Sequence, residues 1–223
     1  MFFNLAMSVS SAGAFLPTNE LSEIIKFSSQ KIILIMAITF STLNIYFFYS
    51  LFVNTNTIKK HYEDIAILIL AIFFSLILFF SMQKTSFLDM YFNVISSLSS
   101  SGLSAYKPPE NFYLFFIFLT IIGGSVISNS SGLKFIRLYV LFKSSVLEIF
   151  RLVSPNIVMD QRILTTEHKI NNENLNSSFL IFICFFISIF ILSSILTAEG
   201  LNFESSFKLS ILTITNTVNS NIY

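Results

Sequence analysis

Hydrophobic and polar positions along this chain fall into long blocks. Residues 32–53, 65–83, 112–133 and 177–198 contain no Asp, Glu, Lys, Arg or His. Each block approaches the ~20 residues needed to cross a ~30 Å hydrocarbon core. The pattern predicts spanning helices over 29–53, 65–81, 112–143 and 178–198. The third of these is interrupted: an apolar run to Ile122 meets Gly-Gly-Ser-Val-Ile-Ser-Asn-Ser-Ser-Gly and resumes at Leu133. Glycines and hydroxyls at membrane depth require protein or water to satisfy the backbone. A tolerated kink between closely packed helices is the plainer alternative. Residues 87–106 are too polar to span and too apolar for a plain loop. They end in serines and a glycine ahead of Pro108 and Pro109, which fits a half-helix that enters the membrane and returns. An amphipathic piece over 203–217 closes the pattern.

Composition narrows the class. The chain has 223 residues, 54% hydrophobic and 11% charged, against about 25% charged in ordinary soluble domains. The expected location is therefore a multi-pass place in a membrane, with the lipid bilayer as first partner. A net charge of +1 leaves no basic field for a nucleic-acid partner. The single Cys184 lies in an apolar run, reads as a small hydrophobe and offers no disulfide. No basic residue precedes the first apolar stretch, so it does not read as a secretory signal. Lys59, Lys60, Lys134, Arg137, Lys143, Arg151, Arg162 and Lys169 face Lys26, Lys31, Lys84, Lys107 and Lys208 across the blocks. That modest bias places the first group in the cytoplasm and the serine–glycine stretches outside. Lys134 and Arg137 read as membrane-edge anchors.

Internal repetition carries the chemistry. Ser8-Val9-Ser10-Ser11-Ala12-Gly13 lies over Ser97-Leu98-Ser99-Ser100-Ser101-Gly102 as S-x-S-S-x-G. Thr215-Asn216-Thr217-Val218-Asn219 is a third, weaker copy. A lone copy would read as a solvated loop; three in equivalent positions suggest a unit of helix, half-helix, short polar filter and helix. Such a unit suits a cation pore. Backbone carbonyls can replace the ion's water, glycine accommodates the awkward dihedrals, and the half-helix points its negative end at the pore. The candidate ion filter is Ser10, Ser11, Ala12, Gly13; Ser99, Ser100, Ser101, Gly102; and Asn216, Thr217, Val218, Asn219. Other chemistries lack a pattern. His61 and His168 have no metal-ligand spacing to each other or to Cys184, and no nucleophile elbow or phosphate-binding glycine loop is present. No enzyme activity and no cofactor are expected.

Gly123-Gly124-Ser125 through Gly132-Leu133-Lys134-Phe135-Ile136-Arg137, with Leu141-Phe142-Lys143, Leu147-Glu148 and Arg151-Leu152-Val153-Ser154-Pro155, resembles the signature of the TrkH/KtrB potassium transporters, G-G-x-x-G-S-x-x-G-G-[IL]-K followed by an R-L-x-H-P-like run. Asn44 also falls where that family often carries asparagine. The resemblance covers essentially the whole chain and implies an all-α membrane fold of M1–P–M2 repeats with re-entrant half-helices, as in potassium channels. Residues 1–53 would be a partial second repeat and 54–64 a cytoplasmic loop. Residues 65–145 would be the third repeat, 146–176 a cytoplasmic segment and 177–223 a partial fourth repeat. Gly13 and Gly102 would be filter glycines, with Asn219 in the third glycine position. Gly123, Gly124, Ser125, Ser128, Asn129, Ser130, Ser131 and Gly132 would form the gating loop. The implied cargo is K+, with no metal held otherwise. The implied partners are a second copy or a separate N-terminal chain, and a cytoplasmic nucleotide-binding regulatory subunit. Ile127, Ser130 and Ser131 stand where the family favours glycine, and the first repeat and last M2 are missing. The chain is thus expected to be incomplete alone; the alternative is a non-transporting remnant or assembly protein of a split, decaying gene.

Overall fold

The computed structural model describes residues 2–13, 21, 24–25, 27–53, 61–82, 85–107, 109–153, 162–164 and 170–217. Lys26, Lys59, Lys60, Lys84, Pro108, Ser154, Pro155, His168, Lys169, Val218 and Asn219 lie outside the described residues, as does most of the expected 54–64 loop. Nine α-helices follow one another among the described residues: α1 (Phe2–Ser10), α2 (Ser28–Thr42), α3 (Ile45–Val53), α4 (Tyr62–Ser81), α5 (Phe87–Leu98), α6 (Tyr113–Ile122), α7 (Phe135–Val153), α8 (Asn172–Ala198) and α9 (Phe203–Ile214).

Among the described helices, α4 and α8, of 20 and 27 residues, are long and apolar enough to cross a membrane. Their faces invert the soluble pattern. In α4 the buried positions are Asp64, Ile67, Ala71, Ser75 and Leu78, spaced three or four apart as one helix face requires. The opposite face exposes Ile69, Phe73, Leu76 and Phe80. In α8 the buried residues are Ser178, Ile189 and Ser193, while Phe179, Ile183, Ile187 and Phe190 are exposed. Cys184 also lies on the exposed side. Broad apolar surfaces of this kind mark a membrane-facing exterior.

Helix α5 sits inside. Met90, Phe92, Asn93, Val94, Ile95, Ser96, Ser97 and Leu98 are all buried, and a helix covered on every side needs neighbours on every side. Its start is fixed by Ser86, whose Oγ accepts from the Asp89 N–H at 3.2 Å. Lys31 of α2 donates to Asp89 Oδ1 at 2.6 Å, tying α2 to that first turn. One apolar core joins Leu5 and Val9 of α1, Ile38 of α2, Leu78 of α4, Leu98 of α5 and Phe116 of α6. A second joins Ile117 of α6, Ile189 of α8 and Ile211 of α9, so α6 stands between the two.

The first predicted span, 29–53, is not one helix. It stops at Thr42 and restarts at Ile45. Here the Asn44 N–H donates to Asp64 Oδ1 at 2.8 Å, and Asn44 Oδ1 accepts from the Tyr46 N–H at 2.9 Å. The Ile45 N–H reaches the Ile127 carbonyl at 3.3 Å. Helix ends leave such groups unpaired, and here other parts of the chain take them up. The interruption predicted in the third block lies between α6 and α7. Helix α7 continues to Val153, into the segment expected to begin at 146.

Candidate functional site

The short helices α1, α5 and α9 end in the same way. At each exit one residue takes a left-handed conformation: Ala12 (φ 49), Ser100 (φ 59) and Asn216 (φ 58). The N–H of that residue donates three residues back, Ala12 to Val9, Ser100 to Ser97 and Asn216 to Thr213, at 3.2, 3.1 and 3.1 Å. The next N–H donates five residues back, Gly13 to Ser8, Ser101 to Ser96 and Thr217 to Leu212, at 2.9, 3.1 and 2.7 Å. This pair of bonds closes a helix and turns the chain sharply away. Side chains repeat the correspondence: Ser99 Oγ meets Ser101 Oγ at 2.8 Å, and Thr215 Oγ1 meets Thr217 Oγ1 at 2.9 Å.

The geometry therefore pairs Gly13 with Ser101 and Thr217, one residue before Gly102 and two before Asn219, which the sequence match set in the glycine position. Ser10 is the last residue of α1, and its Oγ donates back to the Met7 carbonyl at 3.0 Å. Ser11 Oγ donates to the Ser8 carbonyl at 3.3 Å, and Ser8 Oγ donates to the Gly13 carbonyl. These hydroxyls hold the exit in shape. Gly102 has φ 63, directly after the turn.

The α5 exit is the best-built of the three. Ser96, Ser97, Ser99, Ser100 and Ser101 have no exposure. Ser96 Oγ donates to the Leu103 carbonyl at 2.5 Å and lies 3.0 Å from Ser101 Oγ. Asn93, fully buried, pins the returning chain: its Nδ2 donates to the Tyr106 carbonyl at 2.7 Å and its Oδ1 accepts from the Ala105 N–H at 3.0 Å. Leaving two such backbone groups unpaired would cost about 1–3 kcal/mol each.

Gly123 to Gly132 form one loop between α6 and α7. Gly123 has φ +70, and a Cβ on it would sit 2.3 Å from the Ser131 carbonyl oxygen. A Cβ on Gly124 would sit 2.5 Å from the Thr42 carbonyl oxygen. The Ser125 N–H donates to that same Thr42 carbonyl at 3.0 Å, where α2 is broken. The Val126 N–H donates to Glu63 Oε1 at 3.0 Å. Within the loop, Ser130 Oγ accepts from the Gly124 N–H at 2.9 Å, and Ser128 Oγ donates to the Ser125 carbonyl at 2.7 Å. Asn129 Nδ2 donates to the Ser10 carbonyl at 2.9 Å, which sets the loop against the α1 exit. Asn216 Nδ2 lies 3.4 Å from the Ala12 carbonyl, bringing the α9 exit to the same place.

Lys134 is not a membrane-edge anchor. Its ammonium turns back into the loop, donating to the Ser128 carbonyl at 3.2 Å, to the hydroxyls of Ser128 and Ser130 at 3.3 Å each, and to the Ser130 carbonyl. The structure thus brings the α1 exit against the predicted loop and the α9 exit against the α1 exit. Sequence reasoning missed Asn93, Glu63, Asp64 and the role of Lys134. The signal for Asn93 was a carboxamide between apolar residues in the middle of α5. Glu63 and Asp64 stood beside His61 and looked like loop charges. Among the described residues no group of His, Cys, Asp and Glu could hold a metal ion.

No protein-family model matches the chain. An uncharacterised cation transporter of Methanocaldococcus jannaschii is 28% identical over 155 residues, covering 66% of this chain and 32% of that protein. The crystal structure of the potassium transporter TrkH from Vibrio parahaemolyticus matches with a TM-score of 0.82 at 18% identity, over 94% of this chain and 48% of that one. The chain thus spans about a third of the curated relative and about half of the solved structure. In its fold this chain is TrkH-like.

Proposed function

We propose that the chain is part of the ion-translocating subunit of a potassium-selective cation transporter of the bacterial inner membrane, and that it carries no enzymatic activity and no cofactor. The observation that carries this reading is the shared build of three helix exits, with the α1 exit set against the loop and the α9 exit against the α1 exit. On this reading α1, α5 and α9 are re-entrant half-helices. Each directs its carboxy-terminal, negative end towards the ion path, and the carbonyls after each turn replace the ion's hydration. The filter is formed at Ser10 to Gly13, Ser99 to Gly102 and Asn216 to Asn219, with Val218 and Asn219 outside the described residues. The loop from Gly123 to Gly132 lies across the path as its gate. The names of the two similar proteins, a cation transporter and a potassium transporter, point the same way.

The reading includes a partner: a second copy, or a separate chain that supplies further M1–P–M2 units. A cytoplasmic nucleotide-binding subunit is the proposed regulator. The test is potassium uptake in a bacterial strain without its own uptake systems, with this chain expressed alone and with a chain supplying the remaining units. Growth at low potassium only in the second case supports the reading, with growth then sensitive to substitution of Gly102. Absence of growth in both, with the protein confirmed in the membrane, overturns it and leaves the non-transporting alternative.

A further inference from the structure

The loop between α6 and α7 already holds a cation, its own. Two carbonyls and two hydroxyls, all from Ser128 and Ser130, surround the Lys134 ammonium, and Ser128 Oγ lies 2.7 Å from Ser130 Oγ. A lysine near a membrane edge normally extends towards water. This one curls inward, and its backbone stands at φ 72, a left-handed conformation that is unfavourable for a residue with a side chain. The contacts at the ammonium offset that cost. Glu63 accepts from the Val126 N–H of the same loop at 3.0 Å, a further side-chain tie on the loop.

We infer that the oxygens of Ser128 and Ser130 form a monovalent-cation site inside the loop, that the Lys134 ammonium is its tethered occupant, and that a potassium ion competes with Lys134 for it. An ammonium and a potassium ion each carry one positive charge and each accept carbonyl and hydroxyl oxygens in place of water. When the ammonium leaves, those oxygens at membrane depth lose their partner and must find another, so a passing cation completes the loop that Lys134 releases. The inference rests on the transport reading only in placing the loop on the ion path; the site stands on geometry within the loop.

The test uses the full chain in native membranes, with Cys184→Ala removing the exposed thiol and Ile127→Cys reporting from the exposed tip of the loop. Maleimide labelling is timed in potassium, sodium or N-methylglucamine chloride at one ionic strength. With Lys134 present, the rate is expected to be slow and the same in all three salts. Lys134→Arg keeps the charge and stays slow. Lys134→Met is expected to label about tenfold faster in N-methylglucamine, a typical size for a coupling of this kind, and potassium is expected to restore slow labelling. No acceleration, or acceleration equal in all three salts, overturns the inference. Should Lys134→Met fail to reach the membrane, Lys134→Gln makes the same comparison. Because labelling needs no transport, failed uptake with potassium-sensitive labelling would count against the transport reading alone.

Discussion

Ser100 is a serine in a conformation that suits glycine. Its φ of 59 lies in the left-handed region, and its hydroxyl is buried without a hydrogen-bond partner among the described residues. Both features cost stability, since an L side chain in this region is unfavourable by about 1–2 kcal/mol. Ser100→Gly is therefore expected to stabilise the fold by about 1 kcal/mol, read as a later transition in denaturant titration of the protein in mixed micelles. A loss of stability would mean that the Ser100 side chain has a partner of its own in the assembled protein. The serine-rich stretch was legible in the sequence as a special turn, but the residue that takes the turn was not. Glycine is the expected left-handed residue, yet Ala12, Ser100 and Asn216 hold these positions. Two backbone bonds per exit over-determine the turn, and the side chain merely tolerates it.

Elements show the same division between what is local and what is not. The break between α6 and α7 was legible because three glycines and four serines interrupt an apolar run. The break between α2 and α3 was not, because its cause lies far along the chain. Asn44 alone is an ordinary residue in a spanning block, and its partners Asp64 and Ile127 are supplied by α4 and the loop. The two breaks are one joint: the Thr42 carbonyl freed by the first accepts the Ser125 N–H from the second. Gly124 permits that approach, since a Cβ there would stand 2.5 Å from the Thr42 carbonyl oxygen and 2.6 Å from Ser130 Oγ. Gly124→Ala is expected to push the loop away from α2 at a cost of about 1–3 kcal/mol, as overpacking usually does. Gly200 makes the control. Its φ of +96 carries a conformational cost, but nothing lies within 4 Å of a Cβ there. Thermal unfolding in one detergent should rank Gly124→Ala below Gly200→Ala, and loop labelling at Ile127→Cys should rise for the first only. Equal labelling in the two would sever the joint.

The whole molecule is organised by a solvent that changes from place to place, which explains why its span count was only partly legible. Apolar content marks lipid contact and packed interior alike, so α8 reads as apolar on every side. Its inner face is given away only by small polar residues, Ser178 and Ser193, buried along the same face as Ile189, which packs with Ile117 of α6 and Ile211 of α9. Outward, Phe190 is 58% exposed and touches what would be lipid. Association between such helices depends on close packing of small residues rather than on the hydrophobic effect. Substitutions should therefore act in the opposite sense from a soluble protein. Ser193→Leu adds apolar bulk to a buried position and is expected to destabilise by about 1–3 kcal/mol through overpacking, despite raising hydrophobicity. Phe190→Leu exchanges one lipid-facing apolar side chain for another and should change stability by less than about 0.5 kcal/mol, as remote surface changes do. Denaturant titration of both variants in mixed micelles separates the cases. If Ser193→Leu is neutral while Phe190→Leu is costly, the faces of α8 are assigned the wrong way round, and the α6–α8–α9 cluster that carries the α9 exit to the site would have to be rebuilt around the opposite face.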